Sequence, residues 1–303
     1  MLQGTVQSIF SRAANLQFDR RLVTLHAHLT PCAPNGITLS VEATNSLLLD
    51  LQAGMSVTIE HETLSFPAIS ACLSLQGSQP WNPRPVISYA ADMAGLLERS
   101  LAFLLPLLMN TGQSDPSAGL AQLALLADCP ASSMPPHASP LLQKAWSSSR
   151  QLIQAIGQQQ ITRAARAAET LIGLGPGLTP SGDDLLTGLI ATTILLSEAL
   201  ALPGDFYRQF GSAVLALAKD KTTHLSLHWI EYATRGAVSE PLGRLLQALV
   251  VSDQPQQLEA RANEVLSTGA TSGGDLLAGV MLGSHCLLTQ HKREGYTHGL
   301  HSQ

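Results

Sequence analysis

The chain has 303 residues and a mass of 32.0 kDa, enough for one large domain or two modest ones at about 100 to 200 residues each. Hydrophobic residues make up 45% and charged residues 13%, about half the usual share, which excludes intrinsic disorder and suggests surface covered by other subunits. A formal net charge of -5 with no basic block leaves no footprint for nucleic acid.

Four dispersed cysteines (Cys32, Cys72, Cys129, Cys286) with no C-x-x-C pair read as buried, reduced thiols and not as a zinc or disulfide framework. Residues 1–10 lack the cationic start of an export signal. The charge-free run 63–83 is broken by Pro67, Pro80 and Asn82, and the apolar run 101–109 is too short for a bilayer and contains Pro106. A cytoplasmic protein with no membrane span is expected.

Up to about residue 85 the signals are those of strands. Residues 22–30 alternate, Pro34-Asn-Gly36 turns in hairpin fashion, and 37–41 resumes; 56–61 is a further strand that 62–66 can pair with. The segment 76–85, with Gly77, Trp81 and three prolines, reads as a linker. From residue 89 the period becomes helical, and helices are expected at 89–109, 117–127, 139–157, 159–172, 182–200, 204–219, 224–235, 240–251, 255–267 and 273–289, with 129–140 as the most flexible loop and the histidine-rich end as a solvated tail. The fold class is therefore α+β, a small antiparallel β-rich domain over 1–85 followed by a larger all-α domain over 86–303.

One stretch carries chemical information: Gly173-Leu-Gly-Pro-Gly-Leu-Thr-Pro-Ser-Gly-Asp-Asp-Leu-Leu-Thr-Gly188. Gly173, Gly175 and Gly177 make a loop whose backbone can approach a ligand, and a helix follows at once, a place where free amides attract anions. Ser181 and Asp184 have the spacing of a short-acid capping box, which leaves Asp183 unassigned. A tight loop with an ordinary cap is the bland alternative.

Residues 181–188 recur 91 positions later as Ser272-Gly-Gly-Asp-Leu-Leu-Ala-Gly279, with six of eight residues identical. Each copy follows a threonine (Thr179, Thr271) and a glycine (Gly177, Gly269). Gly188 and Gly279 lie one turn beyond Asp184 and Asp275, on the face where a missing side chain admits a second helix. Two helices starting side by side over one pocket are expected, with a shared packing solution as the alternative. Asp183 aligns with Gly274, which singles it out for a role beyond capping. Between the copies, Thr222 or Thr223 can cap a helix that contains Ser226, and His224 and His228 have i, i+4 metal-ligand spacing without an H-E-x-x-H pattern.

The long glycine motif, Thr222-Thr-His-Leu-Ser226 with Ala233, Gly236 and Glu240-Pro-Leu242, and Thr271-Ser-Gly-Gly-Asp275 together resemble the AllH family, most clearly over 165–285. The resemblance implies one subunit of an oxamate carbamoyltransferase of anaerobic allantoin breakdown. That enzyme interconverts oxalurate and phosphate with oxamate and carbamoyl phosphate, and its partners are the other carbamoyltransferase subunits. The resemblance carries over no catalytic residues; by their own chemistry, hydroxyls to polarise and a carboxylate to take a proton, Asp183, Thr179 and Ser181 are the catalytic candidates. Gly173, Gly175, Gly177, Gly182, Asp184, Thr222, Thr223, Ser226, Thr271, Ser272, Gly273 and Asp275 are the anion-binding ones. No metal ligands are assigned, although Asp183 is a candidate base or Mg2+ ligand. Two other classes stay open: a non-catalytic assembly or regulatory subunit, and a Mg2+-dependent hydrolase similar to ADP-ribosylglycohydrolases.

Overall fold

The computed structural model describes residues 1–88, 90–111, 119–251 and 254–300. By its internal packing the chain divides into two compact units, Met1–Pro83 and Arg84–Gln303.

The first unit is a seven-stranded sheet, β1 (Leu2–Phe10), β2 (Ala13–Phe18), β3 (Arg21–His26), β4 (Gly36–Thr38), β5 (Ser56–Glu60), β6 (Thr63–Phe66) and β7 (Ala71–Ser74), in the order β4-β3-β2-β1-β5-β6-β7. Val6, Leu16, Leu25, Val57, Leu64 and Phe66 form its core. A polar chain crosses three strands and reaches the residue before β4: Asn15 Nδ2 donates to Ser8 Oγ (3.0 Å), Thr24 Oγ1 to Asn15 Oδ1 (2.7 Å), and Asn35 Nδ2 to Thr24 Oγ1 (3.0 Å).

The expected hairpin at 34–36 is corrected. β4 pairs parallel to β3, with Thr24 opposite Gly36 and His26 opposite Thr38, because the chain returns through the nine residues 27–35 and not through a two-residue turn. The strand expected to run to residue 41 stops at Thr38. Ser40 Oγ accepts from Ala43 N (3.1 Å) and starts the short helix α1 (Val41–Ala43), which continues as a π-turn over Thr44–Leu48 that buries Leu47 and Leu48.

The second unit is helical: α2 (Met93–Thr111), a 3-10 turn (Ala121–Ala124) leading into α3 (Leu125–Asp128), α4 (Pro140–Gly157), α5 (Ile161–Glu169), α6 (Ser181–Ala199), α7 (Asp205–Ala218), α8 (His224–Thr234), α9 (Glu240–Val251), α10 (Pro255–Leu266) and α11 (Ser272–Leu300). The break expected at 110–116 and the helix start at 117 fall largely outside the described residues. The run 101–109 belongs to the longer α2, which continues through Pro106. Met93–Asn110 is long and apolar enough by length and composition to cross a membrane, but Leu97, Leu104 and Leu108 of this helix are buried and it packs on α9, α10 and α11.

At the start of the loop 129–139, Arg150 donates through Nε to Pro130 O (2.8 Å) and through Nη2 to Ser132 O (3.1 Å). The expected solvated tail is the end of α11: His291, Lys292 and Arg293 are exposed there, Lys292 pairs with Glu98 (2.6 Å) and Arg293 donates to Gly157 O, while the side chains of His298 and His301 lie outside the described residues. None of the four cysteines is in a disulfide, but only Cys286 is buried, against the expectation of four buried thiols.

α6 and α11 form the most extensive helix contact of the unit. Residues 181–197 of α6 are buried all round, as befits a helix that is apolar on every side. The two helices run parallel, and glycines set their separation: a Cβ on Gly188 would collide with Leu276 O, and one on Gly279 with Leu185 O. These contacts exchange under the 91-residue offset, so the pair has a local pseudo-twofold axis.

Gly188→Ala and Gly279→Ala should therefore each lower stability by about 1 to 3 kcal/mol, the usual cost of overpacking. Gly274→Ala should be neutral or stabilising by up to about 1 kcal/mol, because its Cβ would meet only Ala121 Cβ (3.5 Å) and Leu108 Cδ1 (3.9 Å). Thermal unfolding of the three variants checks this ordering, and a wild-type melting temperature for Gly188→Ala would contradict the close approach.

Candidate functional site

The three loop glycines have three different reasons to be glycine. Gly173 (φ +69°) leaves no room for a Cβ against Lys221 O, and Gly175 (φ +118°) packs on the start of α6, where an added Cβ would sit 2.9 Å from Ser181 N. Gly177 (φ +96°) needs only the left-handed backbone, since nothing lies within 4 Å of its Cβ direction. Gly269 (φ +62°) packs on Ser272 as Gly175 does on Ser181, so Gly175 and not Gly177 is its structural counterpart.

Three of the first-turn amides of α6 are not free. Gly182 N donates to Leu174 O (2.9 Å), while Asp183 N and Asp184 N donate to Pro180 O (2.9 and 3.2 Å). Gly273 N is likewise bonded to Thr268 O (2.9 Å). Gly182 and Gly273 themselves admit the preceding segments, because a Cβ there would collide with Leu171 O and Val265 O.

Nor does the expected capping box form. Pro180 occupies the N-cap of α6 with no side-chain cap, and Ser181 and Asp184 turn toward the other helix. Asp184 sits beside the hydroxyls of Ser272 and Thr179, which are 3.0 Å from each other. Asp275 sits beside those of Ser181 and Thr271 and accepts from Leu120 N. The exchange of Asp184 with Ser272 for Asp275 with Ser181 follows the same pseudo-twofold axis as the glycine contacts. The helix starts are thus side by side, as the repeat implied.

Asp183, 1% exposed, is the carboxylate that holds the loops together. Gly173 N donates to Oδ1 (2.9 Å) and Thr222 Oγ1 donates to Oδ2, with the Ser226 hydroxyl close by. Thr223 caps α8, accepting from Ser226 N (3.1 Å) and donating to Leu178 O (2.5 Å). Lys221 and Glu169 pair next to this junction.

Burial pushes all three carboxyls up. For Asp183 the rise is opposed by its hydrogen bonds from Thr222 and Gly173. Asp184, 9% exposed, is raised to about 8, chiefly by burial, against the favourable Ser272 hydroxyl and with added repulsion from Asp275. Asp275, fully buried, is raised to about 6 despite the Leu120 amide. Oδ2 of Asp184 and Oδ2 of Asp275 are both buried without a hydrogen-bond partner. An unpaired buried oxygen on an acid that is neutral at pH 7 can give or take a proton.

Asp183 and Asp184 turn to different partners, and among the described residues no group of three or more His, Cys, Asp or Glu side chains could hold a metal ion. His228 Nδ1 instead lies 2.7 Å from His224 O. Sequence reasoning missed Gly119 and Leu120. Gly119 (φ +101°) leaves no room for a Cβ beside Asp275 Oδ1, and nothing in its neighbourhood marks a link 155 residues long.

Two buried carboxyls, each with one oxygen lacking a hydrogen-bond partner, thus lie at the start of a parallel helix pair. Residues 171–284 match the family described as oxamate carbamoyltransferase subunit AllH, and residues 1–80 match the AllH family N-terminal domain. The chain belongs to the AllH family. No solved structure matches it. As a carbamoyltransferase subunit, it has other subunits as partners.

The raised Asp184 makes a signed prediction. An unfolded Asp ionises near pH 4, whereas the folded one keeps its proton to about 8, so this group lowers stability progressively as pH rises through that window. Asp184→Asn, neutral throughout, should gain stability relative to wild type between pH about 5 and about 8. Urea unfolding of both proteins across that range measures the difference, and a pH-independent difference would show that Asp184 ionises normally.

Proposed function

We propose that this chain carries the acid–base site of an oxamate carbamoyltransferase at the paired starts of α6 and α11. The small anions of that reaction, carbamoyl phosphate with oxamate, or oxalurate with phosphate, would bind there. The observation that carries the reading is the buried, unpartnered Oδ2 of Asp184 beside the Thr179–Ser272 hydroxyl pair, with Thr179 directly following the exposed loop residues Pro176, Gly177 and Leu178 in the chain. Since the α6 amides of Gly182, Asp183 and Asp184 are already engaged, the anion contacts fall to the hydroxyls of Thr179 and Ser272 and to neutral Asp184.

In the forward direction the oxamate amide nitrogen attacks the carbamoyl carbon, the bond from that carbon to the phosphate oxygen breaks, and one N–H proton must leave. Hydroxyls and a protonated carboxyl aimed at the carbonyl oxygen stabilise the developing charge. Two carboxyls with separated affinities, near 8 and near 6, can divide the donor and acceptor roles. This reading moves the acid–base role from Asp183 to Asp184 and leaves Asp183, Thr222, Thr223 and Ser226 as the scaffold. A place in cytoplasmic allantoin breakdown follows from the same reading.

A second reading, a subunit that only assembles or regulates the enzyme, is favoured by the engaged amides and the fully bonded Asp183. Reconstitution with the partner subunits separates the two. Asp184→Asn keeps a neutral donor but cannot exchange a proton, so the complex should form normally while turnover with carbamoyl phosphate and oxamate falls about 100-fold or more. Full activity of the Asp184→Asn complex would favour the assembly role.

The scaffold role of Asp183 has its own test. Asp183→Asn cannot accept from both Gly173 N and Thr222 Oγ1, so it should destabilise the isolated chain by about 1 to 3 kcal/mol. A wild-type melting temperature would show that the loop junction does not depend on it.

A further inference from the structure

A cleft of about 440 Å³ lies between α4, the loop before it and the far half of α11. That volume is within the range of small-molecule sites. Its wall at His285 is 13 residues beyond Ser272, about 20 Å along a helix rising 1.5 Å per residue, so it is separate from the Asp184 site. The buried side chains of Ile153 and Cys286 form an apolar floor, and Pro130 and Ala131 carry the apolar surface to the exposed rim.

The charged groups of the lining are engaged. Arg150 spends Nε and Nη2 on the carbonyls of Pro130 and Ser132, and Arg293 donates to Gly157 O and has a further interaction besides. No described lining residue is acidic. What selects a ligand is therefore the neutral polar pair that the cleft also holds.

That pair converges. Nε2 of His285 and Oγ1 of Thr289, one turn apart on α11, are 3.5 Å from each other, and both residues line the cleft. Hydrogen bonds prefer about 2.7 to 3.0 Å, so the two groups satisfy each other poorly, whereas one oxygen about 2.8 Å from each would complete both. Burial lowers the affinity of His285 for its proton, against the nearby Ala127 carbonyl and Asp128 and together with Lys292, so the ring is neutral at pH 7 and accepts at one nitrogen. The Thr289 hydroxyl both donates and accepts. An oxygen that gives a proton to imidazole and takes one from threonine is that of a hydroxyl group, and the floor beside it suits an apolar body. A smaller cleft of about 240 Å³ shares His285 and Thr289, but Glu98, Asp128 and Lys292 line it, and an apolar body there would strip water from charged groups.

We infer that the cleft between α4 and α11 binds a small uncharged alcohol or phenol, its hydroxyl bridging His285 Nε2 and Thr289 Oγ1 and its apolar body covering Ile153 and Cys286. This ligand is distinct from the reacting anions.

Isothermal titration calorimetry on the full chain tests this with phenol, toluene and benzoate. Phenol should bind saturably, about tenfold or more tightly than toluene, which has the ring without the hydroxyl, and more tightly than benzoate, which brings a charge. Thr289→Val keeps the shape and removes the hydroxyl, so it should weaken phenol about fivefold or more and leave toluene unchanged. Ala131→Phe, at the exposed rim, should block the cleft, whereas Ala102→Phe, exposed and lining only the smaller cleft, should leave phenol binding as it is. The exposed Ala131→Phe decides the matter if Thr289→Val does not fold. No saturable phenol binding up to about 10 mM, toluene or benzoate binding as tightly as phenol, or wild-type phenol affinity in Thr289→Val would overturn the assignment. So would retained binding in Ala131→Phe or lost binding in Ala102→Phe.

Discussion

The helical unit depends on one contact, made twice: a bare glycine of α6 against a carbonyl of α11, and its mirror. Gly188 lies on Leu276 O and Gly279 on Leu185 O, so the two backbones meet with no side chain between them. Without that approach the helix starts would stand a side chain further apart, and Thr179 could not reach Ser272. Close approach also excludes water from the first turns. It is what buries Asp184 and Asp275 and leaves an oxygen of each without a partner. Packing and chemistry thus have a single geometric origin.

The pseudo-twofold axis is broken where the two halves meet the rest of the chain. On the α6 side the third motif residue is Asp183, which ties the glycine loop to α8 through Gly173 and Thr222. On the α11 side it is Gly274, facing Ala121 and Leu108, and the extra bond comes from Leu120 N to Asp275. That amide favours the ionised form of Asp275 and has no counterpart at Asp184. A symmetric pair of acids would compete for one proton; the asymmetry assigns it.

The helices were legible because their apolar residues recur at helical spacing against a polar face, as in α4, expected at 139–157 and found at Pro140–Gly157, and in α9, where both ends agree. The first two strands were not. β1 buries Val6 alone, so it shows no alternation, and β2 hides its period behind Asn15, a buried polar residue satisfied by Ser8 and Thr24 across the sheet. The motif residues were legible as a group because the repeat compares the chain with itself. Their individual roles were not, since Asp183 and Asp184 are adjacent carboxylates and only the packing decides which one meets Thr222 and which one meets Ser272. The repeat flagged the residue that differs between copies; the two that match carry the unsatisfied oxygens.

The proposed anion site, built on carboxyl groups and hydroxyls, would have to solve an electrostatic problem. An ionised Asp184 about 4 Å from a bound anion would cost about 4 kcal/mol at an effective dielectric constant of 20, enough to abolish millimolar binding. Burial removes that cost by keeping the proton on Asp184 at neutral pH. The coupling runs in both directions, because an anion that binds beside the acid raises its proton affinity further. On the proposed function, a bound anion would hold the donor more firmly in the protonated state it already has at neutral pH. Lysine or arginine in the same place would bind the anion more tightly and could not take part in proton exchange, which gives a reason for this arrangement of hydroxyls and buried acids.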